Sequence, residues 1–132
     1  MREHLFRGLK RFPYGVEYWY VGDLWHCQGE PNIRTSNGSS LNVDPNTVGE
    51  YIGKKDKTDR LIFEGDIARY EHITQDGKLE VGNPFEIRWN ENECAFCAWD
   101  GYTFIALPPF DRLRVIGNIH QQSQTEKGGT NG

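Results

Sequence analysis

The 132-residue chain carries 15 Lys and Arg against 19 Asp and Glu, a formal net charge of −4, with seven Phe, six Tyr and four Trp but one Met. That balance argues against charge-driven binding of a nucleic-acid backbone over a broad face and leaves room only for a local basic patch. No apolar run is long enough for a membrane helix, and an odd count of three Cys argues against a disulfide framework.

The first residues lack the apolar core of a secretion signal, so a cytoplasmic protein with reduced thiols is expected. The length suits one domain over residues 1–120. The aromatic residues, 15 Gly and 6 Pro favour short strands with many turns.

Taken in chain order, residues 2–7 suit an edge strand. Val16–Val21 is rich in aromatic and β-branched side chains, Gly22-Asp23 reads as a turn, and Leu24–Cys27 returns, so residues 16–27 predict a hairpin. From Gln28 to Asn46 the sequence turns polar and predicts a long loop, which ends an N-terminal region of residues 1–46. Strands are expected at Thr47–Ile52, Leu61–Phe63 and Ile67–Tyr70, with a charged turn over Lys54–Arg60. Asp76-Gly77 is a strong hairpin signal, and Asp100-Gly101 is a second such pair. Further strands are expected at Leu79–Val81, Phe85–Trp89, Cys94–Trp99, Tyr102–Leu107 and Leu113–Ile119, with a helical turn near Pro109–Arg112. This spacing predicts a small barrel over residues 47–120. Residues 121–132 contain no apolar side chain and predict a disordered tail.

Residues 47–70 contain Tyr51-Ile52-Gly53, a Lys/Asp-rich turn and Ile62-Phe63-Glu64-Gly65-Asp66-Ile67. With Val115-Ile116-Gly117-Asn118-Ile119-His120 near the end, this pattern resembles the YopX family of phage and prophage proteins. Phe6-Arg7-Gly8 and Val16–Leu24 fit the family's opening more loosely. One departure is Thr58-Asp59-Arg60, where the family's turn usually carries Asn-Gly. The resemblance implies a mostly β fold, SH3-like in its second half, and a viral origin. It implies no particular activity, cofactor or catalytic residue.

The candidate sites are few. Gly53, Glu64, Gly65, Asp66, Gly117 and Asn118 read as structural corners, because Gly takes positive φ and Asp bonds nearby backbone amides. The competing reading makes Glu64 and Asp66 a metal-holding or acid–base pair, since residues two apart on a strand share a face. Cys94-x-x-Cys97 has the spacing of a zinc or redox pair, but no second ligand pair accompanies it among Cys27, His26, His72 and His120. Lys54, Lys55, Lys57 and Arg60 form the densest basic cluster and a candidate phosphate contact. Tyr18, Trp19, Tyr20 and Trp25 place bulky rings on both faces of the first hairpin, the pattern of an interface anchor. The expectation is a non-enzymatic, cofactor-free module that forms homo-oligomers or binds a phage or host protein, with single-stranded nucleic acid as the alternative partner.

Overall fold

The computed structural model describes residues 4–120. The chain divides between Gly53 and Lys54 into two compact units. All the strand pairs formed within each unit are antiparallel. No helix of the described residues is long and apolar enough to cross a membrane.

The first unit contains β1 (Phe6–Arg11), β2 (Glu17–Cys27), β3 (Glu30–Arg34), β4 (Ser40–Asn42) and most of β5 (Gly49–Lys55). Within it the strands lie in the order β4-β3-β2-β1-β5. The turn expected at Gly22-Asp23 does not form, and β2 runs straight through it. Its first half pairs with β1 up to Gly22, and its second half pairs with β3 from Asp23. The glycine is there for space: a Cβ at Gly22 would lie 2.0 Å from the Arg34 carbonyl oxygen. The hairpin turn comes six residues later, at Gln28 (φ 53) and Gly29 (φ 80), and the two positive angles give a type I′ turn.

The expected polar loop from Gln28 to Asn46 therefore holds two strands and a short 3-10 turn at Pro45–Thr47. Its sparse apolar residues explain this, because Ile33 and Val43 are buried together with Leu9 of β1. Asp44 accepts from the Asn46 N–H at 3.0 Å, and Thr47 Oγ1 accepts from the Leu9 N–H at 2.9 Å. Polar residues read as loop chemistry thus serve as strand connections.

The second unit contains β6 (Leu61–Phe63), β7 (Asp66–Ile73), β8 (Leu79–Val81), β9 (Phe85–Asn90), β10 (Ala95–Trp99), β11 (Phe104–Ile105) and β12 (Leu113–Asn118). The main path is β11-β10-β9-β7-β12, and β8 pairs with β7 alone. Both Asp-Gly turns fall where expected, with Gly77 (φ 84) and Gly101 (φ 103) in the left-handed region. The helical turn appears at Phe110–Arg112. β11 is shorter than predicted, and the residues expected to form the final strand bulge at Ile116.

The sheet does not close into the SH3-like barrel expected over residues 47–120, because β11 and β12 end its path without meeting. Backbone groups of β12 are instead taken up by the preceding charged turn. Val115 N–H donates to Asp56 Oδ2 at 2.8 Å, and Leu113 C=O accepts from Lys57 N–H at 2.9 Å. A carboxylate and one amide stand where another strand would pair. Alternation along the strands then sets the faces. Ala68, Phe85, Ile87, Ala98, Leu113 and Val115 are buried on one side. On β8, Leu79 and Val81 are exposed beside Ile73 of β7. The tail expected over residues 121–132 lies outside the described residues.

Candidate functional site

The opposite face of the second sheet collects chemistry that is dispersed in the sequence. Trp99, Glu86, Ile67 and Gly117 are successive cross-strand neighbours on β10, β9, β7 and β12. One pleat away on the same face, Arg88 stands opposite Cys97, and Arg69 stands opposite Arg114. Arg88 Nε lies 3.1 Å from Glu86 Oε2, and its guanidinium sits 4.7 Å from the Trp99 ring centroid. Phe104 meets Trp99 edge-on at 5.0 Å. Trp99 also lines an open groove of about 630 Å³, with Ile67, Phe85, Glu86, Asp100 and Ile116.

Next to this row lies a buried carboxylate ringed by cations. Glu71 is 3% exposed, whereas the side chains of Arg69, Arg114 and Lys57 are 35%, 50% and 24% exposed. Arg69 donates through Nε at 2.8 Å and Nη2 at 2.7 Å to Glu71 Oε2. Arg114 Nη1 and Lys57 Nζ approach Oε1 at 3.5 and 3.6 Å. The hydrogen bond from Arg69 and the three positive charges together hold the Glu71 carboxyl below its ordinary value despite burial. The carboxylate is buried while its cations are partly exposed, so a solute meets the positive charges first.

Several signature residues take part in the backbone hydrogen bonding of the fold. Gly65 (φ 92) donates its N–H to the Ile87 carbonyl at 2.9 Å and accepts from Ile119 N–H at 3.0 Å. That bracket ties the turn before β7 to β9 and to the chain end. Asp66 is fully buried, and its Oδ2 accepts from the Phe63 N–H at 2.7 Å. Asn118, also buried, accepts the His120 N–H at 2.9 Å. The Glu-Gly-Asp corner and the Gly-Asn close therefore meet in three dimensions: Asn118 pairs with Asp66 and Gly117 with Ile67. The sequence from residue 18 to 125 matches the family described as YopX protein. The chain belongs to the YopX family. No curated protein matches it.

In the turn at Thr58-Asp59-Arg60, Asp59 takes the left-handed conformation (φ 71). Asp tolerates that region better than most residues do. Asp56 organises the turn from within. Its Oδ1 accepts from Thr58 N–H, Thr58 Oγ1 and Arg60 N–H at 2.8, 2.7 and 3.0 Å. Burial alone would raise this carboxyl, but its bonds from Val115, Thr58 and Arg60 outweigh burial and lower it.

The basic cluster of the sequence is split by the fold. Lys54 Nζ sits 5.9 Å from the Phe110 ring centroid, and Lys55 faces Asp59 at 3.7 Å. Arg60 enters the turn through its backbone, and only Lys57 joins the ring around Glu71. The remaining cations of that ring, Arg69 and Arg114, escaped sequence reasoning. The alternation Ile67-Arg69-Glu71 against Ala68-Tyr70-His72 was legible, but the pairing of Arg69 with Arg114 needed the topology.

Cys94 (φ 51) ends the turn before β10 and contacts the Glu91 carbonyl at 3.5 Å, while Cys97 is half-buried in the strand. No three His, Cys, Asp or Glu side chains converge as a metal site among the described residues. In the first unit, Tyr18 is 56% exposed, whereas Trp19, Tyr20 and Trp25 are half-buried. The Arg7 guanidinium stacks 4.7 Å from the Trp19 ring, and Trp25 Nε1–H donates to Ser40 Oγ at 2.7 Å. Gly53 (φ 90) lies within β5, at the boundary between the units.

Proposed function

We propose that this YopX protein is a non-enzymatic binding module, an accessory of phage or prophage acting in the bacterial cytoplasm. It works through the outer face of its second sheet. The observation that carries this reading is the ring of Arg69, Arg114 and Lys57 around buried Glu71, on the same face as the Trp99 groove. Charged side chains ordered by a buried counter-ion beside an open aromatic-lined groove suit recognition of a macromolecule. Of the Glu64–Asp66 pair that the sequence offers for acid–base or metal chemistry, Asp66 has its Oδ2 committed to a backbone amide.

Site-specific photocrosslinking in cells tests this. A photoreactive amino acid in place of Arg88 or Ile116 is expected to give discrete macromolecular adducts, and one in place of Glu30 of β3 is expected to give none. Adducts from Glu30 with none from the sheet face would overturn the reading. Protease and nuclease digestion then identifies the partner class.

A second reading rests on β2, where Tyr18 is exposed next to half-buried Tyr20 on one face and exposed Val16 immediately precedes the strand. Homo-oligomers would form through this face. Sedimentation of the protein against its Tyr18→Glu variant tests that reading, with dissociation expected in the variant.

A further inference from the structure

We infer that the occupant of the second sheet's outer face is single-stranded nucleic acid, its phosphates on Lys57, Arg69 and Arg114 and a base on Trp99. The inference rests on the proposed binding role and names the partner of that same face.

The first argument is charge. The chain as a whole is −4, yet this face and its groove present Lys57, Arg69, Arg88 and Arg114 against Glu71, Glu86 and Asp100. Four cations against three carboxylates leave a local excess of one positive charge on an acidic protein. Glu71 and Glu86 are covered: Glu71 is 3% exposed among its three cations, and Glu86 is only 18% exposed beside Arg88. A polyanion approaching this face therefore meets guanidinium and ammonium groups.

The second argument is order. Arg and Lys side chains lose rotamer freedom when they bind phosphate. Glu71 has already gathered three of them, and Arg69 is held by two short contacts. Part of that entropic cost is met in folding.

The third argument is spacing. Arg69 is two residues from Ile67 along β7, and Ile67 lies two strands from Trp99 through Glu86. With strands about 4.8 Å apart and residues about 3.3 Å apart, the cation ring and the indole are roughly 12 Å from each other on one face. An extended strand of a few nucleotides spans that distance, with a base reaching the groove. Arg88 covers Trp99 from one side, and the ring lines the groove as well. A base can stack there without regard to sequence, since every base has a π face. Asp100 Oδ1 is taken by the Tyr102 and Thr103 N–H groups, both at 2.8 Å, so it serves to close the groove's turn.

The test is fluorescence anisotropy of a labelled oligothymidylate of about twelve nucleotides, titrated with the full chain at rising KCl. Three phosphate contacts predict a slope of log K against log salt of about −2, at about −0.7 per contact on a single strand. Arg114→Ala with Lys57→Ala leaves the Arg69–Glu71 pair in place and is expected to bring the slope to about −0.7. Circular dichroism confirms that the variants fold. If the double variant does not, Arg114→Gln alone is expected to remove about 0.7 from the slope. Trp99→Leu is expected to weaken binding at least about fivefold.

Absence of binding at low salt, a slope unchanged in the cation variants, or duplex bound as tightly as the single strand would each overturn the inference. So would displacement of the oligonucleotide by inorganic phosphate at low concentration, which would mark an isolated phosphate site. Crosslinked adducts that resist nuclease and yield to protease would leave the binding module standing and remove nucleic acid as its partner.

Discussion

Asp56 Oδ2 accepts the backbone N–H of Val115 at 2.8 Å, across 59 residues of chain. One side chain thereby ends the sheet at β12 and fixes the charged turn, whose two N–H groups and one hydroxyl bond its other oxygen. Asp56→Ala strips the partner from a buried amide and from three further donors. Hydrogen bonds to charged groups contribute about 1.5–3 kcal/mol each, and they are not additive. We expect a loss of about 3 kcal/mol in urea denaturation. A loss below about 1 kcal/mol would contradict this role.

The same carboxylate shapes the pH dependence of stability. Asp56 and Glu71 both have folded-state pKa values below their ordinary ones. Each binds protons more readily in the unfolded chain, so stability rises with pH through their titration range. The contribution is full above the unfolded values, near pH 4, and is lost as pH falls through the lower folded values. Thermal melts from neutral pH downward should be flat and then decline below about pH 4. Asp56→Asn should show a shallower decline, and an identical acid profile would count against the assignment.

Gly22 and Gly29 offer a controlled contrast. At Gly22 a methyl group would strike a backbone carbonyl, whereas at Gly29 nothing lies within 4 Å and only the positive φ resists substitution. Gly29→Ala should cost about 1 kcal/mol. Gly22→Ala should cost at least about 2 kcal/mol, since β2 and β3 must separate to accept it. Equal melting temperatures for the two variants would contradict the close approach.

Asp66→Ala tests the structural role of the signature corner. The Phe63 N–H loses its carboxylate acceptor, and a destabilisation of about 2 kcal/mol is expected. Oligonucleotide affinity, measured well below the melting temperature, should stay unchanged, because Asp66 is buried away from the binding face. A folded variant with lost affinity would place Asp66 in the site.

Where strands and turns were written in local chemistry, the sequence was readable. Asp76-Gly77 and Asp100-Gly101 mark their turns, and the Glu-Gly-Asp corner behaves as a corner. Gly22-Asp23 misled because a glycine admits both a turn and a close backbone contact, and only the neighbouring Arg34 decides between them. The Gln28-Gly29 turn was hidden because Gln is an unusual residue at a left-handed position. The candidate site was the least legible part. Lys57, Glu71, Arg88, Trp99 and Arg114 come from separate segments, and what gathers them is strand order and register. The densest basic stretch, Lys54–Arg60, drew the eye and contributes one member.

The hairpin of β7 and β8 leaves Ile73, Leu79 and Val81 uncovered, and β8 has β7 as its one strand neighbour among the described residues. Such a border invites another chain to add itself, the first step of fibrous stacking. Lys78 and Glu80 flank Leu79 and act as electrostatic fenders there. Solubility at high concentration consequently depends on two exposed charges that take no part in folding the sheet, and Lys78→Thr with Glu80→Val should turn a clear solution cloudy while leaving the monomer's melting temperature almost untouched.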